Sequence, residues 1–136
     1  MTKENKIIES GKRKTAIARA VLVPGKGKVT LNGRNYTSLQ MFNRLKIEEP
    51  LRIAEKILGK IDFDVAVNVN GGGERGQVEA ARLALARAIS TYANKKELTD
   101  TFLSYDRNLL VADTRRKEAY KPGDSKARSK RQSSKR

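Results

Sequence analysis

Clusters of lysine and arginine are the residues of this chain with the clearest chemical potential. Between residues 113 and 136, ten residues are Lys or Arg, three are acidic and only three are apolar. Cations at this density bind the phosphates of a polyanion, and Arg also stacks on exposed bases. So few apolar side chains cannot offset the entropy of ordering. We therefore expect residues 113–136 to be an extended tail that is disordered without RNA.

Two smaller cationic groups lie in the N-terminal part of the chain. Lys12-Arg13-Lys14 precedes an apolar run, and Lys26 and Lys28 flank a glycine in a predicted turn. Such a group is often only a solvated surface. This chain of 136 residues carries 30 basic and 15 acidic residues, a net charge of +15, which favours a polyanionic partner. We interpret both groups as phosphate contacts.

The glycine run that starts at Gly71 admits three interpretations. Gly71, Gly73 and Gly76 match the dinucleotide-binding pattern G-x-G-x-x-G between a strand and a helix. That pattern needs a following parallel strand and an acidic residue about 20 positions on, whereas residue 96 is Lys. Glycines that allow a tight turn are a better interpretation. Backbone amides that meet an RNA phosphate at the helix start are better still.

Residue types also limit catalysis. The chain has no cysteine and no histidine, so disulfides, thiolate metal sites and the usual general base are missing. Asp62 and Asp64 lie two apart on a predicted strand, which is typical of a solvated edge, and no other acid is placed to complete a metal site. We expect no enzymatic activity, no metal, no cofactor and no small-molecule substrate.

Membrane binding is the weaker alternative for a basic chain. No apolar run approaches the ~18 residues needed to span a bilayer. The N-terminal residues also lack the pattern of a secretory or transit signal. We therefore expect nucleic acid, and not an anionic membrane, to be the partner.

The first half of the chain predicts a hairpin and helices. The run 15–23 predicts a strand buried on most of both faces, followed by a turn and a short strand at 29–31, with a further strand at 6–9 alongside. Asn32-Gly33 is a strong tight-turn pair. Thr37 or Ser38 is the predicted cap of a short helix through Leu45. A second stripe from Ile47 to Leu58 predicts a helix that starts near two glutamates and ends at Gly59.

The second half has clearer periodicity. Alternation at 61–70 predicts a strand with one apolar face, and helices follow at about 77–93 and 95–105. Arg75, Glu79 and Arg82 are predicted to pair with one another along one side of the first of these helices. The fold class is therefore α+β, an α/β sandwich in which helices cover one face of a small mixed sheet. Residues 1–112 form the predicted globular domain, and 113–136 the tail.

Several motifs together resemble the small-subunit ribosomal protein S-nine family. Its signature is similar to Gly71-Gly72-Gly73, Gly76-Gln77, Ala80, Ala84, Ala86, Arg87, Ala88 and Ile89. Its opening motif resembles Gly11-Lys12-Arg13-Lys14-Thr15-Ala16 with Ala18-Arg19. Its first hairpin resembles Pro24-Gly25 with Gly27 and Asn32-Gly33. Its tail resembles Asp113, Arg115, Lys126-Ala127-Arg128 and Ser134-Lys135-Arg136. The length is similar to that of bacterial and plastid members.

This resemblance implies a fold, a location and contacts. The fold would be that of the second domain of ribosomal protein S-five. The chain would lie in the head of the small subunit, among ribosomal RNA and neighbouring head proteins of a cytoplasmic or organellar ribosome. The tail would reach the transfer RNA in the peptidyl site through Ser134, Lys135 and Arg136. The implied ribosomal-RNA contacts are Lys12, Arg13, Lys14, Arg19, Lys26, Lys28, Gly71, Gly72, Gly73, Arg75, Arg115, Arg116, Lys117, Lys126, Arg128, Lys130 and Arg131.

The tail departs from the family pattern at three positions. Ser133 stands where members commonly have an aromatic residue, Arg131 stands where a proline is usual, and Asp124 adds a negative charge. We expect Arg131 to compensate for a lost stacking anchor by binding phosphate. Two other functions stay open at this point: a free nucleic-acid-packaging protein, and a nucleotide-dependent enzyme built on the glycine turn.

Overall fold

A computed structural model describes residues 6–111 of the chain. In chain order its strands and helices are β1 Ile7–Arg13, β2 Ala16–Pro24, β3 Val29–Leu31, β4 Arg34–Asn35, α1 Met41–Leu58, β5 Phe63–Asn70, α2 Glu74–Ala93 and α3 Lys96–Tyr105. Single turns of 3₁₀ helix lie at Tyr36–Ser38 and Arg107–Leu109. The predicted tail and its boundary at 112/113 lie outside the described residues, so the domain division stays a prediction.

The five strands form one mixed sheet in the order β1-β2-β5-β3-β4. β3 runs parallel to β5, and the other neighbouring pairs are antiparallel. The helices pack on one face of this sheet, with α2 against β1, β2 and β5 and α1 against α2. The predicted α+β class with helices on one face is confirmed.

Side chains alternate across the sheet, and one set forms the core. On β5 the residues Phe63, Val65, Val67 and Val69 are buried, while the residues between them are exposed or half-buried. On β2 the buried set is Ala16, Ala18, Ala20 and Leu22. The predicted second buried face of this strand is wrong for the described residues, because no element among residues 6–111 covers that side and Ile17 is 53% exposed.

Small residues allow α2 to approach the sheet closely. A Cβ added to Gly11 of β1 would lie 2.4 Å from the carbonyl oxygen of Ala80 and 2.8 Å from the amide nitrogen of Ala84. Both alanines are fully buried in α2. The glycine of the opening motif and the alanines of the helix signature are therefore two sides of one close contact.

The hairpins differ from the prediction. β1 pairs with β2 across a reversal at Lys14-Thr15, as expected for a strand alongside, although β1 is longer than predicted. β2 does not pair with β3, because β5 lies between them. Asn32-Gly33 instead joins β3 to β4, with both residues at positive φ as such a turn requires. The side-chain oxygen of Asn32 also accepts from the amide of Val69 at 2.8 Å.

One long helix replaces the two predicted helices between 37 and 58. Asn35 caps the 3₁₀ turn at Tyr36–Ser38, and α1 then begins at Met41 with no side-chain cap. The helix continues through Pro50, because its buried stripe is continuous from Asn43 through Ile47 and Leu51 to Ala54. Glu48 and Glu49 therefore lie in mid-helix and not in its first turn. Gly59 ends the helix at φ 88°, as predicted.

The C-terminal part of the body is held to the first strand. Leu98 and Phe102 of α3 are fully buried, as predicted, and so is Leu109 beyond it. Arg87 of α2 donates from Nε to the carbonyl of Leu110 at 3.0 Å and from an Nη to the carbonyl of Ser10 at 2.9 Å. This side chain therefore ties the last described turn to β1. Within residues 6–111, no helix has the length and apolarity to cross a membrane.

Candidate nucleic-acid interface

Two motifs that are far apart in sequence meet at one end of the sheet. The β1–β2 reversal carries Lys14 at φ 54°, and the run Gly71–Gly73 follows β5 beside it. A Cβ on Gly71 would lie 2.5 Å from the carbonyl oxygen of Thr15, and one on Gly72 would lie 3.0 Å from the Cβ of Ala16. We call residues 12–15 with residues 71–75 the hairpin–glycine end. Its two backbone segments touch because Gly71 and Gly72 lack side chains.

The glycine turn presents exposed backbone at the start of α2. Gly71 and Gly72 have φ values of 81° and 67°, which favour glycine, and Gly73 is the N-cap with no side chain to bond the first amides. Nε2 of Gln77 donates to the carbonyl of Gly71 at 3.1 Å and fixes the turn. Glu74, in the first turn, accepts from the side chain of Asn43 at 2.8 Å. An added Cβ on Gly73 would meet nothing within 4 Å, so an external phosphate has access to the backbone at this position.

The dinucleotide interpretation of this turn is wrong. α2 leads into α3 and a 3₁₀ turn, and no strand follows α2 within the described part of the chain. The fingerprint needs a following parallel strand that carries the ribose-binding acid. The glycines instead serve the close contact with the β1–β2 reversal.

The predicted cations of this end have different roles. Lys12, Lys14 and Arg75 are exposed. Arg13 points to the helix side, where its Nε lies 2.8 Å from a carboxylate oxygen of Glu79, and its side chain is 21% exposed. Arg13 therefore joins β1 to α2, and the exposed cations form the accessible positive surface.

The predicted pairing of Arg75, Glu79 and Arg82 along α2 is wrong. Glu79 pairs with Arg13 and, at 3.4 Å, with Nζ of Lys46 on α1. Arg82 pairs with Glu49 of α1 and, at 3.2 Å, with Asp106 after α3. These side chains lie near other elements, so the charges join elements instead of pairing along one helix.

Lys26 and Lys28 lie at the opposite end of β2. Nine residues of strand separate the ends, which is roughly 25–30 Å at about 3.3 Å per residue. Both side chains are exposed. Apart from Arg19, which lies on β2 between the two ends, the predicted RNA-contacting residues of the body therefore fall into two separate groups, of which the hairpin–glycine end is the larger.

The turn that carries these lysines wraps around Asp64. The backbone amides of Lys26, Gly27 and Lys28 all donate to Oδ1 of Asp64, at 3.0, 3.1 and 2.8 Å. A Cβ on Gly25 would lie 2.3 Å from the carboxylate carbon. These donors, led by the amide of Lys28, hold the pKa of Asp64 below its usual value against a smaller opposing effect of desolvation. The prediction of a merely solvated carboxylate is wrong here.

Asp62 has a separate structural partner. It bonds to the hydroxyl of Tyr92, whose ring packs edge-on against Phe63 with centroids 5.4 Å apart. Burial first, and then the charge and hydrogen bond of Asp62, raise the pKa of Tyr92. The two aspartates therefore do not act as a pair, and residues 6–111 contain no group of three acidic ligands placed to hold a metal ion.

The sheet also has a face that no element of the described part of the chain covers, and the sequence prediction named only some of its residues. We call it the open face, and it comprises Ile8, Ser10, Lys12, Ile17, Arg19, Val21, Val23, Thr30, Asp64, Ala66, Asn68 and Asn70. Lys12 and Arg19 belong to the predicted contacts, whereas Ser10, Asn68 and Asn70 were missed. The alternation in β5 already put both asparagines on one face, but only the strand pairing brings them beside Arg19.

The predicted tail contacts cannot be located, because they lie outside residues 6–111. They are Arg115, Arg116, Lys117, Lys126, Arg128, Lys130, Arg131, Ser134, Lys135 and Arg136. What is described is a small basic α+β body with exposed cations and backbone at one end, which is the type of surface that binds polyanions.

Comparison with known proteins identifies the family. The family model described as Ribosomal protein S9/S16 matches residues 11–136. A protein of Thermoplasma acidophilum named Small ribosomal subunit protein uS9 is 50% identical over 129 residues, which cover 94% of this chain and 98% of the relative. Proteins of the same name from Methanococcus vannielii and Pyrobaculum aerophilum are 47% and 44% identical, with 85% and 93% of this chain covered and 85% and 88% of the relatives.

The chain therefore belongs to the ribosomal protein S9/S16 family, which confirms the resemblance in the motifs. These relatives are archaeal, so the similarity in length to bacterial and plastid members does not indicate a lineage. Members are structural ribosomal proteins, and the prediction that the chain is not an enzyme is confirmed by this membership.

Proposed function

We propose that the chain is a structural constituent of the small ribosomal subunit and binds its ribosomal RNA through both body and tail. The observation that carries this proposal is the meeting of two family motifs at the hairpin–glycine end. Lys12, Lys14 and Arg75 are exposed there beside a turn without side chains. The relatives are named as proteins of the small ribosomal subunit, and we place this chain among the RNA and proteins of the subunit head.

The chemistry at the hairpin–glycine end suits the RNA backbone. Lysine and arginine meet phosphate oxygens, and exposed amides at the start of α2 offer further donors. Such contacts position RNA without reading its sequence. Arg13, held by Glu79, supports this end by fixing β1 against α2.

The tail extends the same chemistry. Its ten cations over residues 113–136 would neutralise phosphates along an extended path. Ser134, Lys135 and Arg136 would contact the transfer RNA in the peptidyl site. Contacts to phosphate are sequence-independent, and this suits a site that accepts every transfer RNA.

Sedimentation tests the assignment to the subunit. The chain carrying a small affinity tag is expressed in its own cells, and the lysate is separated on a sucrose gradient at physiological salt. We expect the chain to migrate with the small-subunit peak and to leave it after ribonuclease treatment. A free packaging protein would instead stay off that peak and follow DNA, and this result would reject the proposal.

A further inference from the structure

The open face of the sheet has an unusual composition for a surface that faces only water. Ile17 is 53% exposed and Ile8 is 50% exposed, and they lie among cations and amides. Exposed apolar side chains rimmed by polar residues are typical of an interaction surface. The open face is therefore a candidate interaction surface.

Strand pairing arranges the polar groups of this face in two adjacent rows. One row consists of Ser10 of β1, Arg19 of β2 and Asn68 of β5, which lie side by side in the sheet. Lys12, Ile17 and Asn70 form the next row, toward the hairpin–glycine end. Neighbouring strands are about 4.8 Å apart, so each row spans roughly 10 Å. The two rows continue directly into the reversal that carries Lys14.

The part of this face near the hairpin–glycine end carries only positive charge. Its only carboxylate among the described residues is Asp64, which lies at the far end and is held by three backbone amides. Lys12 and Arg19 therefore have no anion beside them in their rows. Charge complementarity points to an anionic occupant.

The helical side of the body differs in this respect. On α1, Glu48 accepts contacts from Arg44 and Arg52, at 3.6 and 3.1 Å. Glu49 is paired with Arg82 in the same layer. At these positions acidic and basic groups neutralise one another, whereas Lys12 and Arg19 have no anion in their rows. This difference in ion pairing distinguishes the helical side of the body from the open face.

We propose that the open face docks on the ribose-phosphate surface of an RNA duplex, across its shallow minor groove. Lys12 and Arg19 bind phosphates, Ser10, Asn68 and Asn70 bond to 2′-hydroxyls, and Ile8 and Ile17 pack on ribose. A wide, shallow groove that displays 2′-hydroxyls is the part of A-form RNA that a flat surface reaches. The proposal rests on the proposed function and identifies the face through which the body meets RNA.

Single thiols test the orientation, because the chain contains no cysteine. Ile17→Cys and Ile8→Cys place a thiol on the open face, and Leu103→Cys, where the native side chain is 41% exposed, places the control thiol on α3. Each full-length variant is alkylated free and bound to protein-free small-subunit ribosomal RNA. We expect bound RNA to slow alkylation roughly tenfold at positions 17 and 8 and little at 103, since covered thiols are inert.

Other results would reject this orientation. Equal reactivity of the position-17 thiol in free and bound chain, or protection of position 103 alone, places RNA elsewhere. Protection at position 17 already in the free chain means that another part of the chain covers the face. Protection only after the other subunit proteins are added makes the occupant a protein. Failure of the chain to bind RNA at all would instead reject the proposed function.

The side-chain amides of Asn68 and Asn70 provide a second test. The double variant Asn68→Ala with Asn70→Ala removes two donors to 2′-hydroxyls and keeps every charge. We expect its affinity for a 20-base-pair RNA duplex to fall by about tenfold, from two hydrogen bonds, while the affinity for a DNA duplex of the same sequence is unchanged. An equal loss for both duplexes, or no loss for either, contradicts a contact with the 2′-hydroxyl.

Discussion

Asp64 shows how a single residue departs from what its neighbours in sequence indicate. On a strand with strict alternation it looks like any solvated carboxylate, yet it organises a turn 36 to 38 residues away through three amides. Local periodicity cannot reveal this, because the donors are backbone groups of a glycine-rich segment. The glycines at 25 and 27 were the only available signal, and alone they indicate just a turn.

Asp64→Asn keeps the shape of the side chain and removes its charge. Because the folded pKa lies below the usual 3.8, the carboxylate stabilises the fold above the unfolded pKa and loses that contribution as pH falls through the folded pKa. We expect the variant to melt at a lower temperature than the parent at pH 7. The difference should shrink as the pH falls below 3.8. Calorimetry from pH 7 to 3 measures it, and a constant difference would contradict the role of the charge.

Glycines 71 and 33 form a matched pair for a second prediction. Both have φ near 80°, but a Cβ on Gly71 meets Thr15 whereas one on Gly33 meets nothing within 4 Å. Gly33→Ala should cost about 1–2 kcal/mol of unfolding free energy from backbone strain alone. Gly71→Ala should cost at least about 1 kcal/mol more, from the added clash. Urea titration compares them, and equal losses would mean that the reversal and the turn do not depend on close contact.

At the scale of elements, long periodic segments were predictable and pairing was not. β5, α2 and α3 agree with the sequence periodicity because each buries one face against a neighbour. The position of β5 between β2 and β3 depends on contacts distant in sequence, which no local pattern encodes. The continuity of α1 through Pro50 also depends on contacts distant in sequence, because its packing on α2 outweighs the missing hydrogen bond at Pro50.

Arg82 of α2 is one of the side chains that link the helices through ion pairs. It is 12% exposed and pairs with Glu49 on α1 and Asp106 beyond α3. Arg82→Ala should lower the unfolding free energy by about 1–3 kcal/mol, because the two partly exposed carboxylates of Glu49 and Asp106 then lose a positively charged partner.

Arg52→Ala is the control for this prediction. Arg52 is 73% exposed and pairs with Glu48 within one helix, so its loss should cost less than about 1 kcal/mol. Equal losses for the two variants, measured by urea unfolding, would show that the linkage between helices adds nothing to an ordinary surface pair.

At the scale of the molecule, the distribution of charge matters more than its sum. Composition alone predicted a polyanionic partner, and the family motifs predicted which cations take part. Only the fold shows that most of these cations lie at two separate ends, that Arg19 lies between them on β2, and that Arg13 faces the helices. The sequence could not indicate this, because the direction of a side chain depends on which strands pair.

The lysines at the two ends of β2 allow a comparison of variants that lose equal charge. Lys12→Ala with Lys14→Ala and Lys26→Ala with Lys28→Ala each remove two lysines. We expect the first pair to reduce the slope of log affinity against log salt by roughly 1.4–1.8 on small-subunit ribosomal RNA, from two lost phosphate contacts. The second pair should reduce it less. Filter binding across a salt series measures both, and identical slopes would contradict a preferred end.

The tail prediction concerns the whole assembly. Deleting Ser134, Lys135 and Arg136 should leave incorporation into the subunit nearly intact, because the body contacts remain. Binding of transfer RNA to the peptidyl site should weaken. Filter binding of transfer RNA to purified subunits measures this, with Lys26→Ala and Lys28→Ala as a control for lost charge. Unchanged affinity after the deletion would reject a peptidyl-site contact for this chain.

The two hydrogen bonds from Arg87 to the carbonyls of Ser10 and Leu110 have a consequence for geometry in the subunit. They fix the point from which the remaining residues depart, close to β1 at the rim of the sheet. A chain of 25 residues reaches at most about 80–90 Å from such a fixed origin. The proposed contact with the transfer RNA therefore requires that rim to lie within this radius of the peptidyl site, whatever path the chain follows between them.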